Sequence, residues 1–107
     1  MTVGKLARDK KANNICILDL RKLSPVTDYF VVCTADADVH LKAVTDHITD
    51  QLKAKGISVR HIEGRGNTGW VVIDCFTVIV HIFLARVREF YSLERLWGDA
   101  PKTEIAE

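Results

Sequence analysis

This 107-residue chain has only two prolines, three cysteines and one unit of net charge. The scarcity of proline, beside a hydrophobic content of 48%, excludes a disordered segment. Cys16, Cys33 and Cys75 are odd in number and lack short spacing, which excludes a disulfide framework and a Cys-based metal motif. Each thiol lies in an apolar run, where cysteine behaves as a small hydrophobe, and the set points to a reducing compartment. Lys plus Arg is 15 and Asp plus Glu is 14, giving a formal charge of +1. Phosphate recognition draws its affinity from a cationic excess, so the balance argues against a general nucleic-acid or membrane-surface binder. No run approaches the roughly 20 apolar residues of a membrane span. The first 14 residues contain no apolar core of a secretory signal. The expectation is a soluble, intracellular, single-domain protein without internal repeats.

What is present is a clear alternation of periods. Val3, Leu6 and Ala7 share a helical face between Thr2 and Lys11. Ile15 to Leu20 and Tyr29 to Thr34 read as strands around a Ser24-Pro25 break, and the short return between them predicts antiparallel pairing. Leu41, Val44, Ile48 and Leu52 then mark a long amphipathic helix that Gly56 stops, with Asp36 or Asp38 as its expected N-cap. Short strands are predicted over 57–62, 70–75 and 77–84, followed by a helix from Val87 to Trp97. The fold class is α/β: a single-domain mixed β-sheet of about five strands with helices mainly on one face. The domain spans residues 1–100, and a polar tail occupies 101–107. A single long helix cannot cover both faces of such a sheet, so the less covered face is expected to be a contact surface. Trp70, Val72 and Asp74 alternate with Val71, Ile73 and Cys75, and His81 interrupts an otherwise apolar strand. That histidine is either a satisfied core residue or a polar contact on the open face.

Several patterns imitate catalytic chemistry. The stretch from Gly64 to Val71 fits G-x-G-x-x-G-x-V, the kinase phosphate loop, yet no lysine strand or catalytic loop follows it. A strand rather than a helix N-terminus comes next, which also excludes the dinucleotide fingerprint. A hairpin whose glycines adopt positive φ accounts for the pattern. Asp36 and Asp38, with Asp74 as a conceivable third, resemble the carboxylates that hold Mg²⁺ in nucleotidyl transfer. They precede a helix instead of alternating on a strand, and capping explains them. His40 and His47 share a helix face but have no i,i+4 partner or cysteine, so no metal site or cofactor is expected.

The C-terminal segment is the most informative. Phe90, Leu93 and Trp97 form a stripe that predicts docking on the core, with Tyr91 and the pairs Arg88/Glu89 and Glu94/Arg95 left outside. Leu23-Ser24-x-x-Thr27-Asp28-Tyr29-Phe30-Val31, Trp70-Val71-Val72-Ile73-Asp74, Val80-His81-x-Phe83 and Arg88-Glu89-Phe90-Tyr91-x-Leu93-Glu94-x-Leu96-Trp97 resemble the ribosomal silencing factor (Iojap-related) family. The resemblance covers about residues 2 to 100.

It implies a nucleotidyltransferase-like fold without catalytic residues, and therefore no enzyme. It also implies binding to the large ribosomal subunit through ribosomal protein L-fourteen, which blocks the small subunit and represses translation under nutrient limitation. A free homodimer and a cytoplasmic bacterial setting are further implications. Trp70, Asp74, His81, Phe83, Tyr91, Glu94 and Trp97 are the candidate partner-binding residues: aromatic anchors, with the two acids facing a basic partner. Two rivals stand beside this reading, an active nucleotidyltransferase using Asp36, Asp38 and Asp74, and a direct RNA-binding module. The chain departs from the family pattern at Ala35-Asp36-Ala37-Asp38-Val39-His40, where Gly-Thr-Ser-Ser-Arg-His is usual. It departs again at Phe76-Thr77, where Gly-Asp is usual.

Overall fold

A computed structural model describes residues 2–64 and 68–105. Helix α1 (Thr2–Asp9) leads into β1 (Asn13–Asp19) and β2 (Tyr29–Ala35), followed by the long helix α2 (Asp38–Ala54). Strands β3 (His61–Glu63), β4 (Trp70–Cys75) and β5 (Val78–Leu84) follow, then α3 (Ala85–Tyr91), α4 (Leu93–Leu96) and β6 (Lys102–Glu104). The six strands form one mixed sheet in the order β3-β4-β5-β2-β1-β6. Only β2 and β5 pair in parallel, at the centre; β1 and β2 are antiparallel, as the short return predicts.

Strand alternation sends two apolar sets to opposite faces. Val31, Cys33, Val71, Ile73, Val80 and Ile82 point to the side covered by α1 and α2, where Leu41, Val44, Ile48 and Leu52 complete the main core. Both helices end where the chain turns left-handed. Lys11 and Gly56 have positive φ, and the amides that follow them reach back to the Ala7 and Leu52 carbonyls. The N-terminus of α2 differs from expectation. Ala37 occupies the cap position, Asp38 is the first helical residue, and no side chain caps the helix. Asp36 instead accepts from the Asn13 side chain at 2.5 Å. His40 ties the same corner by accepting from the Asp36 amide (2.9 Å) and contacting the Lys10 carbonyl (2.7 Å).

Three elements depart from their sequence signals. The third strand shrinks to His61–Glu63, because 57–60 forms no ladder. The expected tail from residue 101 contains instead a sixth strand, which pairs with β1 through Cys16, Ile17 and Leu18. Ile105 follows it onto the main core, where the side-chain-free Gly4 of α1 leaves the space. A polar strand such as Lys-Thr-Glu carries no hydrophobic alternation, so only the vacant edge of β1 marks its place. The C-terminal helix is broken at Ser92, whose backbone is left-handed (φ 46°).

Candidate partner-binding face

The second face of the sheet is covered only in part, by the broken C-terminal helix. Cys16, Leu18, Val32 and Phe83 form its floor, and Leu93 and Ala100 close over them. Register places Trp70 opposite Phe83 and Val72 opposite His81, with Val32 on the other side of His81. An aromatic band results. Trp70 stacks on Phe83 (centroids 5.0 Å) and meets Tyr91 at 4.6 Å. Phe30 meets His81 edge-on at 4.5 Å and Trp97 at 5.9 Å.

His81 sits at the centre, 6% exposed. The Trp70 indole N–H donates to its Nδ1 at 3.1 Å, which places the imidazole proton on Nε2. Burial pushes its pKa down to about 4, so the ring is neutral near pH 7. The structure thus favours the core histidine over an exposed polar contact, although Nε2 itself has no hydrogen-bond partner.

Of the seven candidate residues, Trp70, His81, Phe83, Tyr91 and Trp97 come together in this band. Phe83 is fully buried and supports the band from beneath. Asp74 is engaged elsewhere. One of its oxygens accepts from Arg60 (2.5 and 3.1 Å) and the other from the Phe76 amide (2.9 Å). Burial alone would raise its pKa, but the Phe76 amide and the Arg60 guanidinium outweigh that and hold it below the usual range. Both of its oxygens thus accept bonds from within the chain.

Glu94 is half engaged. Its Oε2 takes the Arg88 guanidinium at 3.2 Å, while Oε1 is buried without a partner. Arg88 had been expected outside and is turned inward. Its Nη1 reaches the Asn14 carbonyl (2.7 Å) and the Thr34 hydroxyl (2.8 Å), and its Nη2 approaches the Cys16 sulfur at 3.7 Å. The β-bulge between Asn13 and Cys16 frees that carbonyl from the ladder.

The break at Ser92 also overturns the expected stripe. Phe90 was to dock with Leu93 and Trp97, but it is 81% exposed, and no residue of α3 is buried. Phe90, Tyr91 (49%) and Leu96 (72%) stand outward beside the aromatic band. Residue spacing had not marked Phe30 or Leu96. Phe30 had its signal in the alternation of its own strand; the outward turn of Phe90 and Leu96 follows from a left-handed residue that a serine does not announce.

A model of the family described as "Ribosomal silencing factor during starvation" matches residues 1–107. The chain belongs to that family. It is 40% identical over 97 residues to a ribosomal silencing factor of Bacillus subtilis, covering 91% of this chain and 82% of that protein. It is also 30% identical to the chloroplastic protein Iojap of Zea mays, covering 98% of this chain and 46% of the longer plant protein. A crystal structure of a Chromobacterium violaceum protein superposes with a TM-score of 0.87 at 30% identity, covering 98% of this chain and 88% of that one.

Within this silencing-factor fold Asp74 lies far from the acids at the start of α2. Asp74 lies in register with Ile79 and Phe30, and Asp36 follows six residues after Phe30. At the strand rise that separation is about 20 Å, so the three carboxylates do not share a metal site. Among the described residues no group of His, Cys, Asp or Glu could hold a metal ion, and no helix is long and apolar enough to cross a membrane. The three thiols are free and buried, and burial raises the pKa of each.

The glycine loop is conformational where it is described; Arg65, Gly66 and Asn67 lie outside the described residues. Gly64 and Gly69 both have positive φ. A Cβ on Gly64 would run into the Trp70 backbone carbonyl, which cannot swing away as a flexible side chain would. Gly64→Ala is therefore expected to cost about 2 kcal/mol, from the strained φ and the displaced β4 start, measurable by urea denaturation. Phe76 carries the opposite signature, a bulky residue at φ 68° where the family resemblance leads one to expect glycine. Its ring packs under the Arg60 guanidinium at 5.3 Å, which ties the same arginine to Asp74 and to the hairpin.

Proposed function

We propose that this protein binds the large ribosomal subunit through ribosomal protein L-fourteen and prevents the small subunit from joining, repressing translation when nutrients are limiting. The open sheet face and the segment from Phe90 to Trp97 form the contact. The observation that carries this reading is the exposure of Phe90, Tyr91 and Leu96 next to the Trp70 band, on the face that α1 and α2 leave uncovered. Aromatic anchors of this kind supply desolvated contact area, and a near-neutral chain suits a protein partner better than rRNA phosphates. The B. subtilis relative, a ribosomal silencing factor, supports a ribosomal role. The role is one of binding and steric exclusion in the cytoplasm rather than catalysis. Off the ribosome, a second copy of the chain covers this apolar face.

The test is co-sedimentation with separated ribosomal subunits, followed by a subunit-joining assay. Selective binding to the large subunit with reduced joining supports the proposal; equal binding to both subunits, or none, overturns it. Tyr91→Ala is expected to weaken large-subunit binding by at least about tenfold, the effect of losing one anchor residue. Its half-exposed ring makes little contribution to the core, so the melting temperature should stay close to that of the unsubstituted protein.

A further inference from the structure

Glu94 presents an unresolved half. Its Oε2 is held by Arg88, but Oε1 is withdrawn from water and bonded to nothing. A buried acceptor without a donor is costly, and more so on a carboxylate. The residue lines two adjoining clefts. One, of about 330 Å³, lies over β1 and β6 beside Arg88; the other, of about 390 Å³, opens at the α3–α4 break beside Glu89, Ser92 and Arg95. The cations already on these walls leave Oε1 unanswered. Arg88 directs its donors to Asn14, Thr34, Cys16 and the other Glu94 oxygen, and Lys102 pairs with Glu104 at 3.5 Å. Arg95 makes no bond to Glu94. Asp74, by contrast, has both oxygens satisfied inside the chain.

We infer that Glu94 Oε1 is the acceptor for a cationic side chain, a lysine ammonium or an arginine guanidinium, that a basic protein partner inserts into the cleft at the α3–α4 break. The inference rests on the partner-binding role proposed above and names the residue that selects for charge. Ser92 places this cleft directly after Tyr91 in the chain, so a single partner surface reaches both the aromatic anchor and the carboxylate. Glu89, exposed on the cleft wall, adds a second negative charge at its mouth. The inserted cation restores a donor to an oxygen that folding alone leaves unpaired. Arg88 meanwhile holds the other oxygen.

Glu94→Gln tests this without changing side-chain volume. The amide oxygen retains the Arg88 bond, while the amide nitrogen presents donors where the cation would enter. Expected is a lowered but still cooperative melting transition, because Arg88 loses its counter-charge, with large-subunit binding by the folded variant at least about tenfold weaker and less sensitive to salt than that of the unsubstituted chain. Undiminished binding by the folded variant overturns the inference while leaving the Tyr91 contact standing. A second measurement needs neither ribosome nor stable variant. Millimolar agmatine added to the unsubstituted protein should shift the Arg88 Nε–H resonance in a ¹⁵N spectrum, and an unchanged resonance overturns the inference as well. Failure of the unsubstituted chain to bind large subunits refutes the broader reading, and the agmatine titration still decides the cleft.

Discussion

Arg88→Ala is expected to destabilise the fold by about 3 kcal/mol and to lower the melting temperature by roughly 15 °C. The guanidinium joins four points that are distant in sequence: the Asn14 carbonyl at the β1 bulge, the Thr34 hydroxyl on β2, the Cys16 sulfur and the Glu94 carboxylate on α4. Truncation leaves the Thr34 hydroxyl, the Cys16 sulfur and the Glu94 carboxylate without that donor in a partly desolvated place. Breaking a buried ion pair costs about 3–5 kcal/mol, because the surviving charge keeps its desolvation penalty and loses its compensation. The lower end applies here, since the Arg88 side chain is 13% exposed but that of Glu94 is 28% exposed. The double substitution Arg88→Met with Glu94→Met should recover much of the loss, because it removes both charges and keeps the volume. Differential scanning calorimetry on the single and double variants measures the difference. The Trp70–Tyr91 contact should also loosen in Arg88→Ala, since α3 has no buried residue of its own to hold it, and near-ultraviolet circular dichroism reports that change.

Lowering the pH from 6.5 to 4 should cost the native state on the order of 3 kcal/mol through His81 alone. Unfolded, the imidazole titrates near its ordinary 6.5; folded, burial lowers it to about 4. Between those values the unfolded chain takes up a proton that the native protein refuses, so stability falls as pH falls. Above pH 6.5 the stabilisation is complete, and below about 4 no more is lost through this group. The charged form also cannot accept the Trp70 indole N–H, because Nδ1 is then a donor. Urea denaturation across this range should give a steep slope for the unsubstituted protein and a shallower one for His81→Leu. Equal slopes would show that His81 is solvated and that the Trp70 bond does not hold it neutral. The carboxylates act in a lower window. Asp74, held below its usual range by the Phe76 amide and Arg60, withdraws its stabilisation only as the pH falls below 3.8.

The main core was legible residue by residue. Leu41, Val44, Ile48 and Leu52 recur at helical spacing, the alternation of Val71, Ile73 and Cys75 assigns a strand face, and Gly56 stops a helix because only a left-handed residue can close it there. These are short-range patterns in which each residue reveals its own environment. The candidate face was legible only in its aromatic members. Trp70, His81, Phe83, Tyr91 and Trp97 lie together, because alternation along β4 and β5 puts the first three on one side. The intramolecular partners of the acids were not legible from spacing. Nothing near Asp74 or Arg88 in the chain foretells that one turns to Arg60 and the other to a bulge 74 residues away.

From sequence alone came a mixed α/β domain, a family membership carried by the C-terminal string, and a near-neutral net charge. Tertiary structure decided the rest. It made a strand of a polar Lys-Thr-Glu segment because the edge of β1 was vacant, and it turned Phe90 outward because Ser92 adopts a left-handed backbone. It also sorted two look-alike carboxylates, one satisfied on both oxygens and one on a single oxygen. Periodicity reports which face a residue occupies. Which groups meet on that face depends on strand register and chain breaks, and those arise only when distant segments pack.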